Sequence, residues 1–232
     1  MNINQIKSFV KSNQILYRCV WFLTKKSLNK ISPMKSISGI NNQIIIPVLS
    51  NCTDTKFIIQ GDDNIIVIGD CSQLNNVYVF VQGSNNTIHI GNYVTFAKGS
   101  ELWIEGNNCL LQIGEHSTFE NAHLAVTENN SKIIIGKDCM FAYDIDVRTG
   151  DSHSIIDEIT NTRTNYAKNV IIGNHVWVAS HCSILKGVII DDNCVIATRS
   201  TVTKSFAKKG VVIGGCPAKV IKNNINWDRK KI

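Results

Sequence analysis

The stretch 172–202, IGNHVWVASHCSILKGVIIDDNCVIATRSTV, places a branched aliphatic residue at every sixth position. Five of these residues are followed, four positions later, by a small or compact one. A period of six with two inward-facing residues per period predicts a triangular parallel β-helix, in which each hexapeptide forms one side of a coil. The aliphatic positions are Ile172, Val178, Ile184, Ile190, Ile196 and Val202, and the compact ones are Val176, Cys182, Val188, Cys194 and Ser200.

The same register continues through the first half of the chain, but turn-forming segments interrupt it. Between triplets of inward positions the step grows to 10 or 11 residues, and the added residues are rich in Gly and Asn. These residues tolerate tight turns, so we expect one enlarged corner in each early coil. The predicted inward triplets are Ile68, Leu74 and Phe80; Ile90, Phe96 and Leu102; Ile113, Phe119 and Ala125; and Ile135, Phe141 and Val147.

The fourth enlarged corner is far longer than the others. The step from Val147 to Ile172 is 25 residues, which inserts about fifteen residues more than at the sibling corners and predicts an extended loop at about 149–168. A loop of this length inside a compact repeat is usually functional. Its base carries His153, at the place that the earlier corners give to Asn64, Asn86, Cys109 and Ser131. His153 is therefore a candidate catalytic residue, although an ordinary polar corner residue would also fit this position.

Composition favours one all-β domain over residues 41–216, preceded by a segment at 1–40 and followed by a tail at 217–232. The chain has 232 residues, 44% hydrophobic, with a net charge of +6. That charge suits an anionic ligand, but the chain lacks the clustered basic stripe and interleaved aromatics of a nucleic-acid binder. The eight cysteines form no CxxC motif, and three of them occupy compact inward positions. A thiol there acts as a small hydrophobe, and we expect a reducing, cytoplasmic setting.

The N-terminal segment has a different pattern. Between Asn4 and Lys30, apolar residues recur at helical spacings with lysines and an arginine between them. The segment is too short and too charged to span a bilayer. A helix that caps the open end of the coil is the favoured interpretation, because solenoids need such a cap. The alternative is a basic amphipathic helix that rests on the inner membrane surface.

Three segments, at 170–181, 195–204 and 214–222, resemble the hexapeptide-repeat acyltransferases. The resemblance implies a left-handed parallel β-helix, an acetyl-CoA donor, and a homotrimer with active sites between subunits. A histidine in a Thr-Gly loop followed 24 residues later by a tryptophan, here His153 and Trp177, is similar to two groups within that superfamily. These are the galactoside and maltose O-acetyltransferases and the bacterial polysialic acid capsule O-acetyltransferases.

The resemblance implies that His153 is the general base for direct attack by a sugar hydroxyl on the thioester, without an acyl-enzyme. A base that takes the hydroxyl proton is what this chemistry needs, and imidazole titrates in the right range. Trp177 lies between the inward Val176 and Val178, so we expect it to point outward. The resemblance implies that it borders the acetyl and acceptor pocket; burial beneath a neighbouring subunit is the plainer alternative.

The remaining site residues are also implied by the resemblance. Those expected to bind coenzyme A are Ala179, Ser180, Thr198, Thr203, Lys204, Lys219 and Lys222, although surface solvation would equally explain the lysines. Arg199 departs from the family pattern, since Ala197-Thr198-Arg199-Ser200 stands where relatives often have Gly-Ala-Gly-Ser. It would add a phosphate contact or narrow the channel. Asn121 resembles a substrate-binding asparagine of the galactoside enzymes after a one-residue shift.

Two other functions compete with sugar O-acetylation. An antibiotic O-acetyltransferase would share the fold and the histidine. A non-enzymatic scaffold would show ladders of identical outward residues, whereas the outward positions here are heterogeneous. A zinc site needs three converging imidazoles, and His175 and His181 are predicted on successive faces, so no metal is expected. The resemblance therefore implies an acetyl-CoA-dependent O-acetyltransferase that acts on a sugar hydroxyl of a bacterial capsule or surface polysaccharide.

Overall fold

The computed structural model describes residues 33–232, which form about eight coils of a left-handed parallel β-helix. Between residues 33 and 232 the ordered elements are all strands, which confirms the predicted all-β class. The predicted helical cap falls mainly on residues 1–32, which lie outside the described residues. In the described part of the chain, no helix is long and apolar enough to cross a membrane.

Each coil contributes one strand to each of three faces. The first face contains β1 (Met34–Ser38), β4 (Lys56–Gln60), β7 (Tyr78–Gln82), β10 (Glu101–Glu105), β13 (Ala122–Thr127), β16 (Ile145–Arg148), β19 (Ser183–Ile184) and β22 (Thr201–Val202). The second contains β2 (Gln43–Ile45), β5 (Ile65–Ile68), β8 (Thr87–Ile90), β11 (Leu110–Ile113), β14 (Lys132–Ile135), β17 (Val170–Ile172) and β20 (Ile189–Ile190). The third contains β3 (Asn51–Thr53), β6 (Gln73–Asn75), β9 (Thr95–Phe96), β12 (Thr118–Phe119), β15 (Met140–Phe141), β18 (Trp177–Val178), β21 (Val195–Ile196), β23 (Val212–Gly215) and β24 (Ala218–Lys222).

Three corners join these faces, and we number them in chain order. The first corner leads from the first face to the second and carries the inserted loop, the second corner leads to the third face, and the third corner returns to the first face of the next coil. Every strand pair is parallel except β23 with β24, which form an antiparallel hairpin at the C-terminal end. The coil begins earlier than the predicted boundary at 41, because β1 already pairs in register with β4.

The interior is a set of side-chain columns that run along the axis of the coil. On the third face, Phe96, Phe119 and Phe141 stack with ring centroids 4.5 and 4.7 Å apart. Val178 and Ile196 continue the column in the same register, and all five are buried. Because each inward side chain packs on its counterpart in the next coil, the core is continuous along the coil.

Two predicted inward positions are wrong. Phe80 and Ala125 belong to an outward column on the first face that also contains Trp103, and the inward residues beside them are Val79 and Leu124. The step from Leu74 to Val79, like that from Phe119 to Leu124, is five residues rather than six. The third corner is one residue shorter in those coils, which shifts the alternation of the following strand.

Short polar side chains buried at the corners connect successive coils. Asn86 is 1% exposed; its Nδ2 donates to the carbonyl of Gly106 at 2.9 Å, and its Oδ1 accepts from the backbone N–H of Cys109 at 2.8 Å. The thiols at equivalent corner positions act in the same way: Cys139 donates to the carbonyl of Gly173 at 3.2 Å and Cys182 to that of Ala197 at 3.1 Å. They are therefore donors as well as small apolar groups, which the sequence analysis did not predict. In the described part of the chain, Cys109, Cys139, Cys182, Cys194 and Cys216 form no disulfide.

The buried corners leave no room for side chains where backbones cross closely. Gly83 has a φ of +120°, and a Cβ built on it would collide with the carbonyl oxygen of Gly106 in the next coil. Glycine is needed there both for the left-handed conformation and for the close approach. The Gly-rich corners that interrupt the sequence register are thus part of the stacking.

We predict that Asn86→Leu lowers the free energy of unfolding by about 2–4 kcal/mol, because it leaves a buried carbonyl and a buried N–H without partners. Denaturant unfolding followed by circular dichroism measures this change. Gln112→Ala is the matched control, since Gln112 is exposed in the middle of β11. Equal stability of the two variants would show that the corner hydrogen bonds do not hold the coils together.

Candidate active site

The inserted loop is braced at its base by one buried amide. Asn165 is 6% exposed, and its Oδ1 accepts from the backbone N–H of Ile155 at 2.7 Å. Its Nδ2 donates to the carbonyl of His153 at 2.7 Å and to the carboxylate of Asp151 at 2.8 Å. A single side chain thus ties the segment leading out from the coil to the segment returning to it.

Two ion pairs attach this brace to the coils on either side. Lys186, from the following coil, donates to the carboxylate of Asp151 and to the carbonyl of Asn165, the latter at 3.0 Å. Arg163 in the loop donates through both terminal nitrogens to the carboxylate of Glu128 in the preceding coil. The hydrogen bond from Lys186 holds the pKa of Asp151 below its usual range. Since a depressed carboxyl pKa keeps the charge in place until strongly acidic pH, this attachment persists throughout the neutral range.

His153 is exposed on the loop, and does not occupy the buried corner position that the sequence alignment of the coils predicts. The chain returns to the first corner of the coil at Lys168, whose N–H donates to the carbonyl of Thr149 at 2.9 Å. The insertion therefore lifts the imidazole out of the coil and leaves it accessible, while Asn165 fixes its backbone.

An open groove of about 860 Å³ runs along the first corner beside His153. Its floor is made by the stacked corners of three preceding coils, including Gly83, Gly106 and Glu128. His153 and Arg163 form its end at the loop. A concave surface that ends at an accessible imidazole is a reasonable place for a substrate hydroxyl.

A second group of candidate residues lies at the third corner. Thr198 Oγ1 and the N–H of Arg199 both donate to the carbonyl of Ser180, at 2.8 and 3.0 Å. Ala179 lies beside Ser180 and is half-buried. Trp177, on β18, points outward and is half-buried, which agrees with its predicted phase. The structure therefore brings Trp177, Ala179, Ser180, Thr198 and Arg199 to one edge of the third face.

The remaining candidates are scattered over the last coils. Thr203 and Lys204 follow β22 at the far end of the first face, and Lys219 and Lys222 lie on β24; all four are exposed. Across residues 33–232, none of the three lysines pairs with a carboxylate, so their charges are available to an anion. Asn121 is engaged otherwise, since its Nδ2 donates to the carbonyl of Gly99 at the third corner.

These residues form two half-sites that do not meet within one chain. His153 belongs to the first corner, whereas Ser180 and Thr198 belong to the third. The two corners are the opposite edges of the first face, so a row of strands separates them. A complete site would need the first corner of one molecule beside the third corner of another.

The sequence and the structure of this chain are similar to those of known proteins. Residues 169–204 match the family described as bacterial transferase hexapeptide (six repeats). The polysialic acid O-acetyltransferase of Neisseria meningitidis is 38% identical over 99 residues, covering 43% of this chain and 46% of that protein. The crystal structure of the polysialic acid O-acetyltransferase OatWY is 35% identical, with a TM-score of 0.77, covering 86% of this chain and 93% of that chain. The protein belongs to the hexapeptide-repeat acyltransferase superfamily.

A second solved member of the superfamily, the polysialic-acid-specific acetyltransferase NeuO, is 31% identical with a TM-score of 0.66. The match covers 86% of this chain and 90% of the NeuO chain. By sequence alone, the chain spans less than half the length of the curated polysialic acid O-acetyltransferases that it matches. The likeness extends through most of the coil when structures are compared.

In this hexapeptide-repeat protein, the residues that hold the histidine were not identified from sequence. Asn165, Lys186 and Arg163 have no distinguishing motif, because two of them lie in the insertion, where the hexad register gives no phase. The polar cluster Arg163-Thr164-Asn165 near the end of the insertion is the single signal in the sequence that could have suggested a brace.

We predict that Asn165→Ala releases the loop of this hexapeptide-repeat protein without unfolding the coil. The backbone amides of 151–166 should exchange with solvent at least about tenfold faster, because the loss of the side-chain bonds to Ile155, His153 and Asp151 makes local opening easier. Hydrogen exchange with mass spectrometry measures this directly. Glu158→Ala, an exposed change in the same loop, should leave the exchange rates unaltered; the same acceleration in both variants would remove Asn165 from this role.

Proposed function

We propose that the protein is an acetyl-CoA-dependent O-acetyltransferase that acetylates a sugar hydroxyl of a bacterial capsule or surface polysaccharide. The observation that carries the proposal is the accessible His153, braced at the end of a groove in a chain of this superfamily. The names of the relatives supply the substrate class. Because acetyl-CoA is an intracellular donor, the proposal also places the protein in the cytoplasm.

In the proposed mechanism, the imidazole of His153 accepts the proton of the acceptor hydroxyl as the oxygen attacks the thioester carbonyl. The carbon–sulfur bond then breaks, and the departing thiolate of coenzyme A takes up that proton. Attack is direct, so no acyl-enzyme forms. The protein's contribution is to hold the base, the hydroxyl and the thioester in line, which is where most of the rate acceleration of such a transfer arises.

The third corner would bind the donor. Ala179 and Ser180 present little bulk beside Trp177, which leaves a channel for the narrow pantetheine arm, and exposed Thr198 lies one coil further along. The basic residues beyond it would meet the phosphates: Arg199, Lys204, Lys219 and Lys222, with Thr203 beside them. Ammonium groups act as point charges toward phosphate, so exact geometry matters less for them than for the pantetheine contacts.

A homotrimer would unite the two half-sites. In such a trimer, the first corner of each copy meets the third corner of the next. This arrangement turns the first face of every copy toward the symmetry axis. That face carries an outward aromatic column in which Phe80 and Trp103 stack at 4.1 Å, with Tyr78 6.4 Å from Phe80. An outward apolar column of this kind is suited to burial between subunits.

The groove favours a polymeric acceptor over a free sugar. It passes four stacked corners, which amounts to roughly 14 Å between the first and the last at the usual spacing of strands. That length accommodates more than one sugar ring. A sialic-acid-type polymer is one candidate acceptor, in line with the names of the relatives.

We predict that His153→Ala lowers kcat/KM for acetyl transfer by about 10²–10⁴, the range for a lost general base, while the fold is kept because the side chain is exposed. Release of free thiol from acetyl-CoA measures the rate, with sialic acid polymer, free sugars and antibiotics as separate acceptors. His89→Ala is the control, since His89 is exposed on the second face. Undiminished turnover of the His153 variant would exclude His153 as the general base. Turnover with antibiotics alone would show that the acceptor is an antibiotic and not a sugar.

We further predict functional complementation between inactive subunits. His153→Ala retains the third-corner half-site, and Thr198→Trp blocks that half-site but retains the histidine. In trimers co-expressed at equal levels, about one quarter of the interfaces would combine an intact half from each parent, so about one quarter of wild-type activity should return. Sedimentation checks that each variant alone forms trimers. If it does and the mixture stays inactive, the site lies within one subunit.

A further inference from the structure

The C-terminal tail folds back along the coil after the β23–β24 hairpin. The N–H of Ile225 donates to the carbonyl of Gly210 at 2.9 Å, beside the last coil. Further along, Arg229 donates to the carbonyl of Cys139 at 2.9 Å and to Oγ1 of Thr118 at 2.7 Å. The tail therefore passes from β23 back to β12 and crosses the coil that carries Trp177.

Trp227 in this tail is fixed to the second corner by a reciprocal pair of contacts with His175. Its Nε1 donates to the carbonyl of His175 at 2.8 Å, and its own carbonyl oxygen lies 3.0 Å from Nε2 of His175. The two rings stack with centroids 4.2 Å apart and planes 9° apart. Trp227 is 8% exposed, so the indole is buried between the tail and the coil.

A carboxylate completes the attachment. Oδ2 of Asp138 lies 2.7 Å from Nδ1 of His175, and Oδ1 of Asp138 accepts from Nε of Arg229 at 3.1 Å. The guanidinium of Arg229 also lies 5.7 Å from the centre of the Trp227 ring. His175 and Arg229 thus both contact the indole, and Asp138 binds both of them.

The fixed indole lies against the tryptophan of the third-corner half-site. The ring centroids of Trp177 and Trp227 are 6.1 Å apart at an interplanar angle of 48°, a tilted aromatic contact. Trp177 stands on a two-residue strand with its ring outward, in register with Met140 of the preceding coil and Val195 of the following one. In the described residues, Trp227 is the aromatic side chain in contact with it.

We infer that Trp227 is a positioning residue for acetyl transfer: it supports the ring of Trp177, so that this ring keeps the orientation in which it borders the pocket. The inference rests on the proposed function. A tail that served only to secure the last coils would need the bonds of Ile225 and Arg229. It would not need a buried indole placed between His175 and Trp177.

The test compares three variants of the full chain. Trp227→Ala removes the support, Trp227→Phe keeps an aromatic ring but loses the Nε1 donor, and Ile225→Ala weakens the tail where it meets Gly210 of the last coil. Two quantities are measured: kcat and KM for acetyl transfer, and the ¹⁹F spectrum of 5-fluorotryptophan-labelled protein, with the Trp177 resonance assigned by Trp177→Phe. Thermal unfolding reports the stability of each variant.

We expect Trp227→Ala to lower kcat by about tenfold, since a small displacement of a positioning group is enough for such a loss. It should also shift or broaden the Trp177 resonance. Trp227→Phe should restore kcat to within about threefold, and Ile225→Ala should lower the unfolding temperature while kcat and the Trp177 resonance stay close to wild type.

Unchanged kcat and an unchanged Trp177 resonance in Trp227→Ala would overturn the inference. So would losses of kcat in Trp227→Ala and Ile225→Ala that follow their losses of stability, because the tail would then be a structural clamp only. If the wild-type protein transfers acetyl to no acceptor, the proposed function fails. The ¹⁹F spectra then decide separately whether Trp227 fixes Trp177.

Discussion

Each coil is held on the next by short side chains buried at the corners, whose amides, hydroxyls and thiols bond to the backbone of the neighbouring coil. A β-helix with such sharp turns leaves N–H and C=O groups at every corner that no strand can satisfy. Asn64, Asn86, Ser72 and Cys139 satisfy them from inside. Buried polar groups are tolerated only when paired, so this requirement favours small polar residues and glycine at the corners, with valine at other positions such as Val94 and Val176.

The same constraint explains where an insertion can occur. At the first corner, the chain leaves after β16 and returns at β17, yet β14 and β17 still pair in parallel register. The insertion between residues 149 and 169 therefore leaves the pairing of the neighbouring strands unchanged. The inserted loop lies outside the column of buried corner side chains. Its support comes instead from the buried amide of Asn165 and from the ion pairs Lys186–Asp151 and Arg163–Glu128. A polar brace takes the place of the coil as the support for His153.

The fold could be predicted from the sequence because inward residues recur at a constant step, as at Ile172, Val178 and Ile184. The prediction was wrong at Phe80 and Ala125 because it assumed a constant step of six residues. The third corner of those two coils is one residue shorter, and the sequence pattern does not reveal this. The phase of Trp177 followed from its inward neighbours. Neither Asn165 nor Trp227 could be predicted, since both act through contacts between segments whose relative placement no repeat specifies. The pairing of Trp227 with His175 joins residues 52 positions apart.

The tail also changes how the coil can come apart. In a solenoid each coil contacts mainly its neighbours, and the chain can fray from an end one coil at a time. Contacts between coils here join residues about 18 to 23 positions apart, or 34 to 37 across the insertion, whereas Arg229 bonds to Thr118 across 111 positions. The last coils therefore cannot peel away until the tail has detached from the middle of the coil. Unfolding of the C-terminal half becomes a more cooperative event than the repeat alone would give, and the coil that carries Trp177 lies within the protected region.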